Sequence, residues 1–238
     1  MAMLIAAAAV FLGIHLLIAG TRVRDAITGV IGERPYLGLF SLASIAAIAW
    51  LVMAYNAAGA IPGSADPTLY QLGPGVHDLG LLVVALAFWL GVQGLLLSNP
   101  TSVQQEAAAA KEGTVQGVLR ITRHPFLWGV MLWAAFHTAA NGDEASVVFF
   151  GAFFLLALFG TFSIDAKRKR KMGAAWEGFA ARTSNIPFGA VLAGRTGLNL
   201  SESFGWRFWV ATVLFLVILF AHAHIFGVSP FPDGAVPI

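Results

Sequence analysis

The chain is predicted to be an all-α polytopic membrane protein, a bundle of about six transmembrane helices forming one domain over residues 1–238. Three observations carry this. Hydrophobic residues make up 58% of the chain and charged residues only 11%, against about 25% charged in soluble domains. The mean hydropathy is +0.78, more apolar surface than a domain of this length can hide from water. All fourteen Lys and Arg residues fall between the apolar runs or at their edges.

Apolar runs near 2–20, 37–58, 77–98, 124–141, 145–164 and 206–227 each approach the roughly 20 residues that cross about 30 Å of hydrocarbon as a helix. The first is not read as a cleaved signal peptide, because no Lys or Arg precedes it. Arg22 and Arg24 follow it, which puts the N-terminus outside. The remaining basic residues are Arg34, then Lys111, Arg120 and Arg123, then the series from Lys167 to Arg207. The second and fourth loops and both tails carry none, and hold Asp66, Asp143, Glu144 and Asp233 instead. Six spans with both termini outside satisfy the positive-inside rule at every loop, which suits a multi-pass protein of the bacterial inner membrane.

Two cytosolic stretches read as short interfacial helices. Gln104–Gly117 is alanine-rich with mixed charge, and Lys167–Arg182 (KRKRKMGAAWEGFAAR) follows a basic run with Trp176 and Phe179 at helical spacing, suited to a membrane surface. Pro187 fits an early helical position, with Ser184 and Asn185 as capping candidates. The pI near 9.2 does not indicate nucleic acid, because the cations are confined to membrane-flanking loops. The absence of cysteine excludes disulfides, iron–sulfur clusters and thiolate ligation.

Six histidines remain as candidate functional groups: His15, His77, His124, His137, His222 and His224. Polar groups in hydrocarbon are costly and mark function by default; the alternative for each is a helix-end histidine bonding a carbonyl or headgroup. His222 and His224 point about 200° apart on a helix and cannot chelate one ion together. His124 and His137 lie about 20 Å apart along a helix and cannot share a metal either. His15 (FLGIHLLIAG) and His137 (LWAAFHTAA) sit among apolar residues with no nearby charge. A neutral imidazole there is a good ligand for haem iron, and a pair on two helices can clamp the ring from both faces.

Four segments, HLLIAGTRVRDAITGVIGERPYLGLFSLAS, LGPGVHDLG, RITRHPFLWGVMLWAAFH and RTSNIPFGAVLAGR, occur in an order that resembles the NnrU membrane proteins and the related 15-cis-zeta-carotene isomerases, from about residue 10 to residue 200. The resemblance implies a membrane protein holding haem b (iron), with His15 and His137 at the positions of the axial ligands and His77 at that of a further histidine needed for activity. It also implies a redox-dependent cis–trans isomerase acting on a lipophilic polyene taken from membrane lipid, with His77 and His124 as catalytic candidates. The isomerases carry a cysteine three residues before the second ligand, where this chain has Ala134, so a ligand switch through that cysteine is absent. In the six-span topology His15 lies in the inner half and His137 in the outer half, about 10 Å apart in depth, which leaves His77 as a competing partner. A non-catalytic haem protein (sensor, electron carrier or assembly factor) tied to nitrite and nitric oxide reduction is the second reading. A third is a membrane methyltransferase, since RHPFLWG is similar to the RHPxYxG pattern of the isoprenylcysteine carboxyl methyltransferases. Leu127 replaces the tyrosine, however, and Asp165 alone stands where an acidic pair is expected.

Overall fold

The computed structural model describes residues 1–59, 68–73 and 75–231, apart from the side chain of residue 77. The described residues are helical, joined by loops, with one isolated β-bridge between Thr68 and Asp143. The helices are α1 (Ala2–Leu12), continued by a π-helical stretch over Gly13–Ala19, then α2 (Arg22–Ile31), α3 (Glu33–Ala57) and α4 (Gly75–Leu96). After the 3-10 turns Glu106–Ala110 and Gly117–Leu119 come α5 (Pro125–Asn141), α6 (Glu144–Met172), α7 (Ala174–Ala181), α8 (Gly189–Leu192), α9 (Leu200–Ser203) and α10 (Trp206–Phe226).

Among the described residues, five helical segments are long and apolar enough to cross a membrane: Ala2–Ala19, Glu33–Ala57, Asp78–Leu96, Glu144–Met172 and Trp206–Phe226. The fourth apolar run forms α5, of only 17 residues, about 25 Å of rise. Its ends are set by chemistry. Pro125 occupies the first turn, where a missing N–H costs nothing. Gly142 ends the helix at φ +70, and a Cβ there would lie 2.1 Å from the Tyr70 carbonyl oxygen.

The packing follows from small residues. α4 and α5 meet where a Cβ on Gly129 would lie 2.6 Å from the Ala87 carbonyl oxygen and 2.8 Å from the Gly91 nitrogen. Close backbone approach through glycine is how helices associate where lipid removes the hydrophobic drive. α6 packs against both α5 and α1, α3 packs on α1, and α10 lies on α4. The central core joins Leu4, Ala7 and Phe11 of α1 to Leu51 and Ala54 of α3, Ala134 of α5, and Phe149 and Phe150 of α6. Outward-facing apolar side chains such as Leu42 (67% exposed), Met53 (68%) and Trp209 (62%) form the surface that hydrocarbon solvates.

The chain before α2, the loop after α4, the end of α6 and α9 gather at one end, here termed the basic end, through Ser163 with the Gly20 carbonyl, Glu106 with Arg168, Arg123 with Asp165, and Arg120 with Glu202. At the opposite end Leu69 N–H donates to the Gly142 carbonyl at 2.8 Å. Two expectations change at the basic end. Gln104–Gly117 forms only the five-residue turn Glu106–Ala110, broken by positive φ at Gln104 and Gly113. Trp176 and Phe179 face inward rather than toward a membrane surface, packing on Ala109 and Val115. Burying two aromatic rings among the chain's own alanines removes more apolar area from water than leaving them at a headgroup layer. Neither Ser184 nor Asn185 is the N-cap of α8, which is Phe188 in a left-handed conformation with no side-chain cap bond, and Pro187 stays outside the helix. Ser184 Oγ still accepts from Ala190 N–H at 2.9 Å. The expected Asp66 and Asp233 lie outside the described residues.

Candidate functional site

Two histidine environments are built on α5 and its neighbours. The first lies within the apolar core. His15 sits in the π-helical stretch, a geometry that recurs at functional sites because it re-aims a side chain. Its Nδ1 donates to the Phe11 carbonyl at 2.7 Å, and the Ser44 hydroxyl approaches its Nε2 at 3.3 Å. On α5, His137 Nδ1 donates to the Trp133 carbonyl at 2.8 Å; its Nε2 has no hydrogen-bond partner among the described residues. A carbonyl can only accept, so in each neutral ring the proton is on Nδ1 and the lone pair on Nε2.

Aromatic rings link the two. His15 packs on Phe11 (centroids 4.8 Å apart), Phe11 on Phe153 (5.1 Å), Phe153 on Trp133 (5.6 Å) and Trp133 on His137 (5.1 Å). Phe40 flanks His15, and Phe150 stacks on His137. The wall is apolar, and among the described residues the Ser44 hydroxyl is the polar side chain that reaches either Nε2. His222 of α10 donates from Nδ1 to the Val228 carbonyl at 2.8 Å. His224 is exposed. His77 belongs to the first turn of α4, and its side chain lies outside the described residues.

Tested as haem ligands, His15 and His137 each offer the donor chemistry of an axial imidazole, with three rings, Phe11, Phe153 and Trp133, between them along the contact chain. Each has its second nitrogen fixed by a backbone carbonyl, the outer contact that orients a metal-binding imidazole and sets its tautomer. Among the described residues no group of three or more His, Asp or Glu gathers as a metal cluster; a bis-histidine iron needs only two.

The second environment sits at the basic end. His124 caps α5, fully buried, and its Nε2 is 2.7 Å from Asp165 Oδ1. Asp165 also takes Arg123 Nε at 2.9 Å and Nη2. Arg123 lies over the Trp176 ring at 5.8 Å and receives Asn99 and Thr101 on its carbonyl. Burial holds the His124 pKa below its ordinary value, against the Asp165 hydrogen bond that raises it. His124 is therefore neutral, donating from Nε2, and its Nδ1 is buried without a partner. The RTSNIP and RITRHP segments meet here: Thr122 Oγ1 and Trp128 Nε1 both donate to the Asn185 carbonyl, at 2.6 and 2.8 Å. The structure thus separates three of the four candidate residues, with His15 and His137 in the aromatic layer and His124 in an ionic clasp.

The profile of the family described as NnrU protein matches residues 3–230. The chain belongs to the NnrU family. This NnrU-family chain is similar to two chloroplastic 15-cis-zeta-carotene isomerases. It is 30% identical to the one from Arabidopsis thaliana over 217 residues, 87% of this chain and 56% of that protein. It is 29% identical to the one from Zea mays over 203 residues, 81% of this chain and 52% of that protein. The NnrU-family chain thus spans about half the length of these relatives. No solved structure matches it.

Sequence reasoning named Asp165 only for the methyltransferase reading and Asn185 only as a capping candidate, and it passed over Ser44. Asp165 was visible as an acid closing an apolar run, FGTFSIDA, and such an acid calls for a partner. Ser44 carried no such signal, since it contributes through a contact far away in sequence, and Asn185 acts through its carbonyl on Thr122 and Trp128 rather than as a cap.

Proposed function

We propose that the chain is a haem b-dependent cis–trans isomerase of a lipophilic polyene, of the 15-cis-zeta-carotene type. The observation that carries this reading is the pair His15 and His137, two neutral imidazoles with Nδ1 fixed to a backbone carbonyl and Nε2 directed away from it, set in aromatic walls. The similarity to isomerases over most of this chain supports the choice of substrate.

Isomerisation exchanges no atoms and is redox-neutral overall. The barrier is the π order of the double bond, which must fall transiently for rotation. Haem iron held by His15 and His137 would supply a labile coordination position and a reversible one-electron couple. The chain's own contribution is orientation and exclusion of water. The Phe11 and Trp133 carbonyls hold the imidazole tautomers, and Phe153, Phe150 and Trp133 keep the layer dry. A polyene reaches the protein from lipid. An apolar groove of about 940 Å³ runs between α1, α5 and α6, lined by Ala8, Leu12, Ala135, Ala139 and Gly151. Thr138, next to His137, also lines it. Small side chains along its floor let a flat conjugated chain lie against the helices.

The test uses the full chain extracted in detergent. Oxidised and dithionite-reduced absorption spectra should show a haem b Soret band that shifts on reduction, and 15-cis-zeta-carotene should convert only in the reduced sample. Haem without turnover overturns the substrate; absence of haem overturns the cofactor.

A further inference from the structure

We infer that the pocket between α2 and the end of α6 binds the phosphate group of an anionic lipid. The open pocket, about 460 Å³, is lined by Arg22 and Arg24 of α2 and by Lys167, Arg170 and Lys171 of α6. These five cations face two carboxylates, Asp25 and Glu33. Both carboxylates are already engaged by Arg24. Lys171 reaches Glu106 at 3.4 Å. Arg22, Lys167 and Arg170 have no carboxylate within 4 Å among the described residues. Lys167 is half-buried, so its charge is gathered among like charges where water screens it less.

The position of the cations adds a second argument. On α6 the basic residues occupy the last turns, where they complement the helix dipole. On α2 they occupy the first turn, where cations oppose it and anions are favoured. An anion seated between the two helices removes both costs. It neutralises the unpaired cations of α6 and meets the positive end of α2.

The shape of α2 selects the source of that anion. Its charged residues Arg24 and Asp25 line the pocket with Thr28. Val23 (49% exposed), Val30 (87%) and Ile31 (39%) stand exposed on the same short helix. An amphipathic helix of this kind lies at the boundary between headgroups and acyl chains. It places the cation cluster at phosphate depth and the exposed valines and isoleucine at acyl depth. One molecule carrying both a phosphate and acyl chains covers both surfaces, and the attraction of basic residues for anionic lipid adds to the apolar burial.

The test titrates dioctanoyl phosphatidylglycerol into the detergent-solubilised full chain, following the thermal midpoint and the apparent Kd. Phosphatidylglycerol should raise the midpoint, and dioctanoyl phosphatidylcholine should not. The double substitution Lys167→Gln with Arg170→Gln should weaken binding on the order of 20-fold. Arg22→Gln, at an exposed position where folding is not at stake, should weaken it less. Lys167→Arg, which keeps the charge, should retain binding. Lys169→Gln, one residue from the pocket lining, should leave the Kd unchanged. An equal loss in Lys169→Gln would mean nonspecific surface charge and overturn the site. Inorganic phosphate binding as tightly as the lipid would overturn the lipid assignment.

Discussion

His124 and His137 bracket the same helix, and they have opposite surroundings. His124 is held by Asp165 alongside Arg123, in a clasp that ties the start of α5 to the end of α6. His137 is held only by its own helix, at the Trp133 carbonyl, and is otherwise walled by rings. The first histidine uses its polar atoms to join two elements. The second keeps a ring nitrogen free in a dry layer. An imidazole whose donor is consumed by a carboxylate contributes to architecture; one whose lone pair is left unspent is available for a ligand. The same division separates the two ends of the bundle, a basic end rich in side-chain hydrogen bonds and an apolar core with few.

The contrast is broken most directly by exchanging the expected losses. His137→Ala should abolish the haem absorption, and His15→Ala should do the same. If His222→Ala rather than His15→Ala removed the band, His137 would pair with α10 instead of α1. Asp165→Asn should do the reverse. It leaves Arg123 and buried His124 without their anion, a loss of about 3 kcal/mol, read by thermal unfolding, with the spectrum of the folded fraction intact.

A pH series sharpens the same comparison with a smaller effect. His124 has a folded pKa below its unfolded value of about 6.5, through burial. The unfolded chain therefore binds the proton more readily, so the stability from neutral His124 is complete above that value. It is lost as pH falls through it toward the folded pKa. The midpoint should drop between pH 8 and pH 5, and His124→Gln should flatten the drop. The smallest effect belongs to Arg120, whose Nε and Nη2 grip Glu202 at 2.8 and 3.0 Å. This partly exposed pair should lose under about 1 kcal/mol in Arg120→Lys, seen as a small shift of the unfolding midpoint.

Much of this was legible in the sequence. The apolar runs, the confinement of Lys and Arg to alternate loops, and the isolation of His15 and His137 among apolar residues need no coordinates, because lipid as solvent imposes composition directly on each segment. The local stops were legible too where one residue decides them, as Pro125 and Gly142 do for α5. What the sequence alone could not reveal was every relation between distant segments. Trp176 and Phe179 have the spacing of a membrane-facing stripe, yet they pack inward because Ala109 and Val115 are there to receive them. The π-helical turn that carries His15, the approach of Ser44, the ring contacts running to His137, and the union of Arg123, His124 and Asp165 were decided by tertiary packing. Solvent preference is a property of each residue and can be read one residue at a time; a hydrogen bond or a ring contact belongs to two, and only the folded chain brings the second one within reach.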